Sequence, residues 1–395
     1  MVPPDGRSPV IKYLGSKRRL VPALSVLAAA SGARRALDLF TGTTRVAQAF
    51  KRLGMEVVAV DRARAAHVLA RCYVATDPVA TPEVVDEARS ALDALDALTG
   101  HPGYVTETFC VRSRFFHPDN GARIDAIRDA IERDYAGTPL WPVLLTSLLE
   151  AADRVDSTTG VQMAYLKQWA PRALRPLELR LPVLVGGPGR AIRGDAVDLV
   201  GGAELGPVDL AYVDPPYNQH RYEANYHVWE TLVAWDAPAH FGVACKREDL
   251  RDPANRSAFN SKRTMPDALA RVVAGLEADV VVVSCSDEAW LDVATLVELC
   301  SVRGHVAVVG FDSARYVGAQ IGIHGPTGRR VGQVTRLRNV EYLVIGGDRR
   351  TVRRMVDAVE AADLGGRVVP ASRAPGRPAC PTPTVGAGLT RPPRD

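Results

Sequence analysis

Residues 208–217 read Val-Asp-Leu-Ala-Tyr-Val-Asp-Pro-Pro-Tyr, a short apolar run that ends in a carboxylate, two prolines and an aromatic ring. The run Val208–Val213 predicts a buried strand of a parallel sheet. Each proline fixes its own φ and lacks an N–H, which restricts the directions of the Asp214 and Pro215 carbonyls. The carboxylate and the Pro215 carbonyl therefore predict a rigid pair of acceptors beside Tyr217, suited to a planar ligand with an NH2 group. A strand-ending turn with a surface tyrosine is the alternative.

Five further apolar runs have the length of strands and are separated in part by helical patterns. The runs are Ala36–Phe40, Glu56–Val60, Val280–Ser284, His305–Phe311 and Val340–Ile345, and the helical patterns are Thr44–Leu53, Pro266–Glu277 and Ala289–Ser301. Alternation of this kind predicts an α/β fold with a doubly wound, mostly parallel sheet. The last two runs follow each other through a loop instead of a helix, so we expect the last strand to be antiparallel.

The alternation stops between about Cys72 and Leu181, where the patterns are helical: Pro82–Leu98, Ala122–Tyr135, Leu140–Asp153 and Val161–Trp169. This block mixes basic and aromatic side chains, namely Arg112, Arg114, Phe115, Phe116, His117, Tyr165, Lys167 and Trp169. Such a mixture suits phosphate pairing and base stacking. A helical subdomain whose aromatic residues form its own core is the alternative. Residues 1–10 and the Pro-, Gly- and Arg-rich tail 365–395 are expected to be disordered.

Length, charge and cysteine usage restrict the class of protein. A chain of 395 residues suffices for one large core with an inserted module or for two domains. A net charge of +4 permits a polyanionic partner without requiring one. Six dispersed cysteines, no signal peptide and no apolar stretch of about 18 residues predict a cytoplasmic protein with reduced thiols and no membrane span. The histidines lack metal-ligand spacing, so no metal is expected.

A second candidate site lies at Leu37-Asp38-Leu39-Phe40-Thr41-Gly42-Thr43-Thr44-Arg45. There a strand passes through a turn, in which Gly42 allows close approach of a ligand, into a helix that Thr43 or Thr44 can cap. Asp61 ends the next strand and can accept both hydroxyls of a ribose. Because G-x-G-x-x-G is absent, NAD is disfavoured, and an adenosyl ligand without phosphates, such as S-adenosylmethionine, fits better. Asp195 can accept from an adenine amine, although Gly194-Asp195 alone is more often an ordinary turn.

Together these elements resemble the DNA adenine methyltransferase family, from roughly Ile11 to Gly346. The resemblance begins at Lys12-Tyr13-Leu14-Gly15-Ser16-Lys17-Arg18, which is similar to the family's N-terminal Lys-x-x-Gly-x-Lys element. It implies a Rossmann-like S-adenosylmethionine methyltransferase sheet, built from residues 11–72 and 182–348, with an antiparallel last strand. It also implies that the largely helical insertion, residues 73–181, is a target-recognition domain for double-stranded DNA.

The resemblance assigns roles to individual residues. Asp214, Pro215 and Tyr217 would be catalytic and would receive the N6 amine of a flipped-out adenine. The cofactor would be bound by Tyr13, Lys17, Asp38, Phe40, Gly42, Thr43, Asp61, Asp195 and Asp214, with Lys17 orienting its carboxylate. DNA would be contacted by Arg221, Tyr222, Asn225 and Tyr226, by Ser261 and Lys262, and by Arg112 and Arg114. Thr44, where many members have a second glycine, and Ser284-Cys285-Ser286-Asp287, in place of Ser-Tyr-Asn, depart from the family pattern.

Related activities remain open at this point. Asp/Asn-Pro-Pro-Tyr chemistry also serves cytosine-N4, protein-glutamine and RNA-adenine methylation, but Asp at the first position counts against the first two. An RNA adenine-N6 methyltransferase is therefore the main alternative, and a non-catalytic DNA-binding module is the second. The resemblance is compatible with a cognate restriction endonuclease as a partner, and we expect a monomer or weak dimer.

Overall fold

A computed structural model describes residues 11–15, 17–216, 221–314, 323–324, 330–332 and 338–369. Its strands are β1 (Arg35–Leu39), β2 (Glu56–Asp61), β3 (Gly189–Arg193), β4 (Val208–Val213), β5 (His240–Phe241), β6 (Lys246–Arg247), β7 (Ala278–Ser286), β8 (His305–Ala314), β9 (Ile323–His324), β10 (Arg330–Gly332), β11 (Arg338–Gly347) and β12 (Gly366–Val368). Eight of them form one sheet in the order β12-β8-β11-β7-β4-β1-β2-β3, while β5 pairs with β6 and β9 with β10.

The α-helices are α1 (Val21–Ser31), α2 (Arg45–Arg52), α3 (Arg64–Ala70), α4 (Pro82–Asp96), α5 (Pro118–Tyr135), α6 (Trp141–Arg154), α7 (Ala196–Leu199), α8 (Tyr222–Asn225), α9 (His227–Ala234), α10 (Met265–Gly275), α11 (Val293–Cys300) and α12 (Arg349–Ala361). Short 3₁₀ turns include Lys17–Arg19 and Ala258–Asn260, and Arg71–Ala75 and Thr106–Val111 form π-helical turns.

The sheet confirms the predicted topology. β1 pairs in parallel with β2 and β4, and β4 pairs in parallel with β7. β11 lies antiparallel between β7 and β8, which confirms the predicted antiparallel last strand. All six apolar runs are strands, and each is buried because helices cover both faces of the sheet. The parallel strands bring their carboxyl ends to one edge, where ligands bind in folds of this kind.

Two strands of the eight-stranded sheet, β3 and β12, were not predicted, and neither were the short pairs β5–β6 and β9–β10. β3 lies at one edge of the sheet, is only partly buried, and lacks the apolar run that marks a central strand. β12 lies inside the tail that was predicted to be disordered, and its pairing with β8 makes that prediction wrong for Gly366–Val368. The preceding α12 also extends the sheet domain past residue 348, because its apolar face (Val352, Met355, Val359) is buried against the sheet and α1. Residues 1–10 and 370–395, also predicted to be disordered, lie outside the described residues.

The helical insertion shares a core with α3 and α9, two helices outside the insertion. Phe109, Leu144 and Leu148 belong to one buried cluster together with Val68 of α3 and Val228 of α9. The insertion is therefore packed firmly against the segment that follows Asp214, and the core does not end at residue 181. This arrangement couples the position of the insertion to that of the segment after β4.

The prediction of a helix at Val161–Trp169 is wrong. The segment forms turns without helical hydrogen bonds, since the Gln162 N–H donates to the Asn225 carbonyl at 2.7 Å and the Leu166 N–H to the Ser157 carbonyl at 2.9 Å. Gln162 Oε1 also accepts from the Val228 N–H at 2.9 Å. These long-range bonds replace the i−4 bonds that a helix needs, so tertiary contacts override the local pattern.

No helix within the described ranges has both the length and the apolar character that a membrane crossing requires. Cys72, Cys110, Cys245, Cys285 and Cys300 are buried and form no disulfide with one another. Cys380 lies outside the described residues.

Candidate active site

A cleft of about 980 Å³, open to solvent, lies at the carboxyl edge of β1, β2, β3 and β4. Backbone bonds across the strand ends assemble it. The Asp214 N–H points to the Leu39 carbonyl at 3.4 Å, the Phe40 N–H donates to the Val60 carbonyl at 3.0 Å, and the Gly194 N–H to the Asp61 carbonyl at 3.1 Å. Segments far apart in sequence thereby meet within one sheet edge.

Two carboxylates hold the turn after β1. Asp38 is buried and accepts from Thr41 Oγ1 at 2.8 Å and from the Ala47 N–H at 2.9 Å, and burial raises its pKa to about 7. Asp61 accepts from the N–H groups of Gly42 and Ala63, each at 2.9 Å, and burial raises its pKa as well. Both acids thus fix the backbone of the cleft while facing into it.

The turn uses left-handed backbone at Phe40 (φ 76°), Gly42 (φ 51°) and Thr44 (φ 61°). The value at Thr44 gives a physical reason why glycine suits this position, because a β-branched residue is strained there. The predicted side-chain cap of α2 is wrong: Thr44 precedes the helix, but its hydroxyl donates to the Thr43 carbonyl at 2.7 Å and accepts from Gln48 Nε2 at 2.9 Å. Phe40 packs edge-on against Phe259, with ring centroids 4.9 Å apart.

Three stacked tyrosine rings form a wall beside the turn, and two of them, Tyr13 and Tyr222, line the cleft. Tyr13 is stacked between Tyr222 and Tyr226, at centroid distances of 5.2 and 4.6 Å. A Cβ at Gly42 would lie 3.2 Å from Tyr13 Cε1, so the absence of a side chain there lets this wall close on the turn. The wall joins the N-terminal element to α8, the first element after the catalytic segment.

Asp214 lies at the end of β4 beside a buried ammonium. Lys17 Nζ is 3.1 Å from Asp214 Oδ1 and 3.2 Å from Glu341 Oε2. Burial raises the pKa of Asp214 to about 6, Lys17 opposes this increase, and Glu341 adds to it. Pro215 packs beside Met265 and Ser284 below the cleft, while Pro216 lines it. Tyr217 lies outside the described residues.

The predicted cofactor residues come together at this one cleft. Its lining includes Tyr13, Lys17, Asp38, Phe40, Gly42, Thr43, Asp61, Asp195 and Asp214. Asp195 also caps α7 by accepting from the Val197 N–H at 3.0 Å. Lys17 is 8% exposed, so it is not a solvated surface lysine.

The predicted DNA contacts are divided between surface and interior. Asn225 and Tyr226 are only 5% and 4% exposed. The Tyr226 hydroxyl accepts from the Leu14 N–H at 2.5 Å, and the Asn225 carbonyl accepts from Gln162. Direct DNA contact by these two residues is therefore corrected to a packing role. Tyr222 lines the cleft, and Arg221 is half-buried and donates to the Leu250 carbonyl at 3.0 Å.

The remaining predicted contacts lie nearer the surface. Lys262 is exposed, and Ser261, which is half-buried, follows Asn260 of the cleft lining. Arg112 is exposed and pairs with Glu107 at 2.5 Å. Arg114 lies over the Trp169 ring, 4.6 Å from its centroid. Phe115 and Phe116, by contrast, are 1% exposed and are core residues, as the alternative interpretation of this block expected, although the core is shared with α3 and α9.

Several cleft residues were missed by sequence reasoning. They are Arg45, Arg62, Glu223 and Ser257 in the lining, and Glu341, which contacts Lys17. Arg45 and Arg62 directly follow the predicted turn and Asp61, so their positions carried a usable signal. The position of Glu341 carried no such signal, because a single acid in an apolar strand is expected to face solvent unless the strand order is known.

Replacing Tyr226 with phenylalanine tests the correction made for this residue. We expect the free energy of unfolding to fall by about 1 kcal/mol, because the Leu14 N–H loses its acceptor, with DNA affinity unchanged. Chemical denaturation and a DNA-binding titration measure the two effects. A selective loss of DNA affinity would contradict the packing role.

The fold and site define a class of protein, a nucleic-acid amino-methyltransferase with an Asp-Pro-Pro-Tyr segment after the fourth strand. Residues 13–295 match the family model for D12 class N6 adenine-specific DNA methyltransferases. The chain belongs to this family, and it is an adenine-specific DNA methyltransferase.

Three relatives illustrate the similarity. The type II methyltransferase M.NlaIII of Neisseria lactamica is 29% identical over 322 residues, covering 78% of this chain and 92% of that protein. M.CviAII of Paramecium bursaria Chlorella virus 1 is 32% identical over 245 residues, 58% of this chain and 71% of that protein. M.FokI of Planomicrobium okeanokoites is 26% identical over 300 residues, 71% of this chain and 45% of that protein.

Proposed function

We propose that this enzyme uses S-adenosylmethionine to methylate the N6 amine of an adenine flipped out of duplex DNA. The observation that carries the proposal is the position of Asp214 on the same cleft as the turn at Gly42 and the acid at Asp61. A base amine at Asp214 and an adenosyl group at Asp61 would therefore share one cleft.

The cleft fits an adenosyl cofactor. Asp61 offers a half-buried carboxylate to a ribose diol, and Gly42 has no Cβ that would block the approach of a ligand to the backbone. Tyr13 and Phe40 add apolar ring surface to the lining. Arg45 is the basic group at the start of α2 and could meet the carboxylate at the cofactor's methionine end. When bound, the cofactor supplies a methyl group on a sulfonium, which the adenine nitrogen attacks.

The residues around Asp214 prepare the amine. An adenine amine is a poor nucleophile because its lone pair is delocalised into the ring. Its two N–H groups would donate to the Asp214 carboxylate and the Pro215 carbonyl, which favours a pyramidal nitrogen and frees the lone pair. Positioning and fixed charges supply most of the rate enhancement. Asp214 or water would take the excess proton, and Tyr217 would stack on the base.

DNA would approach from the side of the insertion and of the loop at Ser261. Arg112 and Lys262 provide exposed charge, and the half-buried Arg114–Trp169 pair adds partly accessible ring surface. Cations of this kind bind phosphates and fix the register of the duplex, while aromatic and guanidinium planes stack on bases. Arg221 and Tyr222 would act closer to the flipped base.

Replacing Lys262 with glutamine should weaken DNA binding for all sequences alike. Because one phosphate contact is lost, we expect the salt dependence of log K to decrease in slope by about 0.9. Arg350→Gln is the matched control, since this exposed arginine lies on α12 at the opposite edge of the sheet. Equal salt slopes for both variants would exclude Lys262 from the interface.

The proposal is tested by incubating the full chain with labelled S-adenosylmethionine and separate pools of duplex DNA and RNA. We expect label in N6-methyladenine of DNA at one defined sequence. Label confined to RNA would favour the alternative nucleic acid, and no transfer despite cofactor binding would favour a non-catalytic module.

We further propose a role in restriction and modification, because three relatives are named type II methyltransferases. A cognate endonuclease would then cleave the sequence that this enzyme protects. We propose that the enzyme acts as a monomer or weak dimer, since one chain supplies a complete cleft.

A further inference from the structure

Lys17 joins two carboxylates that come from distant parts of the chain. Its ammonium is within 3.2 Å of both Asp214 and Glu341, and the lysine is almost fully buried. Because two acids share one ammonium, the cluster carries one net negative charge when all three groups are ionised. Lys17 was expected to orient the cofactor carboxylate, and Asp214 to accept from the N6 amine. Neither role requires a second acid at this place.

The sheet fixes this arrangement. Glu341 lies on β11 opposite Ser286 of β7, while Val213, which precedes Asp214, lies opposite Val283 of the same strand. The antiparallel strand therefore delivers Glu341 to the catalytic edge. Lys17 reaches both acids from the turn Lys17–Arg19 that precedes α1.

We propose that Glu341 is a positioning residue for methyl transfer: it holds Lys17 and offsets the charge of that ammonium, so that Lys17 does not neutralise the negative charge that faces the N6 amine. The inference rests on the proposed function, in which Asp214 receives that amine. Lys17 is then a second positioning residue, and its main partners are Asp214 and Glu341 instead of the carboxylate of the cofactor.

The argument concerns the charge that develops during the reaction. The N6 nitrogen becomes cationic as it gains the methyl group, so a negative environment stabilises the transition state. A Lys17–Asp214 pair alone would be neutral and would offer little of this stabilisation. With Glu341 present, one negative charge remains beside the amine, in a buried site where electrostatic effects are stronger than in water.

The same cluster predicts a pH dependence. The groups that face Asp214 are Lys17, Glu341, Asp38, Tyr212, Ser284 and Cys285. Burial is the largest cause of the raised pKa of Asp214, and Glu341 contributes to the increase. The rate should fall as pH drops through about 6, because protonated Asp214 loses its charge. Removing the charge of Glu341 should lower the pKa of Asp214. The acidic limb of the pH–rate profile, where the rate falls with pH, should then move to lower pH.

The test compares Glu341→Gln with the wild-type enzyme in single-turnover methyl transfer to DNA, measured across the acidic pH range. We expect the maximal rate to fall about tenfold or more and the acidic limb to move to lower pH, with little change in cofactor affinity. Glu341→Asp, which retains the charge, should recover part of the rate and bring the limb back. Glu288→Gln is the control, because Glu288 is exposed and accepts from Asn339.

A wild-type rate in Glu341→Gln overturns the inference. A lower rate with an unchanged acidic limb of the pH–rate profile also overturns it, because a merely structural disturbance of β11 would give that result. Measuring Asp214→Ala in the same assay separates the proposed function from the role of Glu341. An active Asp214→Ala enzyme refutes the proposed function. An inactive Asp214→Ala enzyme together with a wild-type rate in Glu341→Gln refutes only the role of Glu341. Should Glu341→Gln fail to fold, Glu341→Ala, which also removes the charge, takes its place, and an unmoved acidic limb in that variant overturns the inference.

Discussion

Replacing Asp214 with alanine should slow methyl transfer to DNA by about a thousandfold or more, because the transition state loses both an acceptor and a charge. Cofactor affinity should change little, since Asp38, Asp61 and the turn at Gly42 are left in place. Lys17 retains Glu341 as a partner, so the variant does not leave a buried ammonium unpaired. Single-turnover rates and a calorimetric cofactor titration measure the two quantities.

Asp214→Asn is the matched comparison, because the amide keeps the shape and one acceptor oxygen but not the charge. We expect its rate to lie between those of the alanine variant and the wild-type enzyme. A wild-type rate in Asp214→Ala would refute the catalytic assignment. Equal rates for the two variants would mean that the loss of rate is due entirely to the missing negative charge of Asp214.

Replacing Asp61 with alanine should weaken cofactor binding about a hundredfold, because charge-assisted bonds of about 1.5–3 kcal/mol each are lost. The Gly42 and Ala63 N–H groups would also lose their acceptor. The maximal rate at saturating cofactor should recover to a large extent, since Asp214 is unchanged. Equilibrium binding and the dependence of rate on cofactor concentration measure both effects.

Asp209→Ala is a close control for Asp61→Ala. Asp209 also accepts from two backbone N–H groups, those of Arg34 and Arg35, but it lies at the opposite edge of the sheet. We expect this variant to lose some stability and no cofactor affinity. Equal losses of affinity in both variants would mean that Asp61 acts through the fold instead of through the ligand.

The acids of the cleft were predictable because they lie at strand ends. Asp38 is the second-last residue of β1, Asp61 ends β2 and Asp214 follows β4, and in a parallel sheet such ends meet at one edge. That rule needs only the alternation of strands and helices. The same rule gives no information on residues inside an antiparallel strand, which is why Glu341 was missed.

The wrong predictions have a common cause. Tyr226 and Asn225 are polar and close in sequence to the catalytic segment, but contacts with Leu14 and Gln162 bury them. Val161–Trp169 has a helical pattern, yet its backbone bonds to distant residues. The first residues of the tail look unstructured until β8 offers them an edge. In each case the deciding partner is far away in the sequence.

The sequence by itself determined six of the eight strands of the main sheet, the antiparallel direction of β11, the helical insertion and the acids at the strand ends, because apolar periodicity and turn chemistry are local properties. Only the tertiary structure decided which polar residues are buried and which charges meet. The sharing of Lys17 between Asp214 and Glu341 is the clearest example. Charge pairing depends on distances of a few ångströms between separate strands, and these follow from strand order and register.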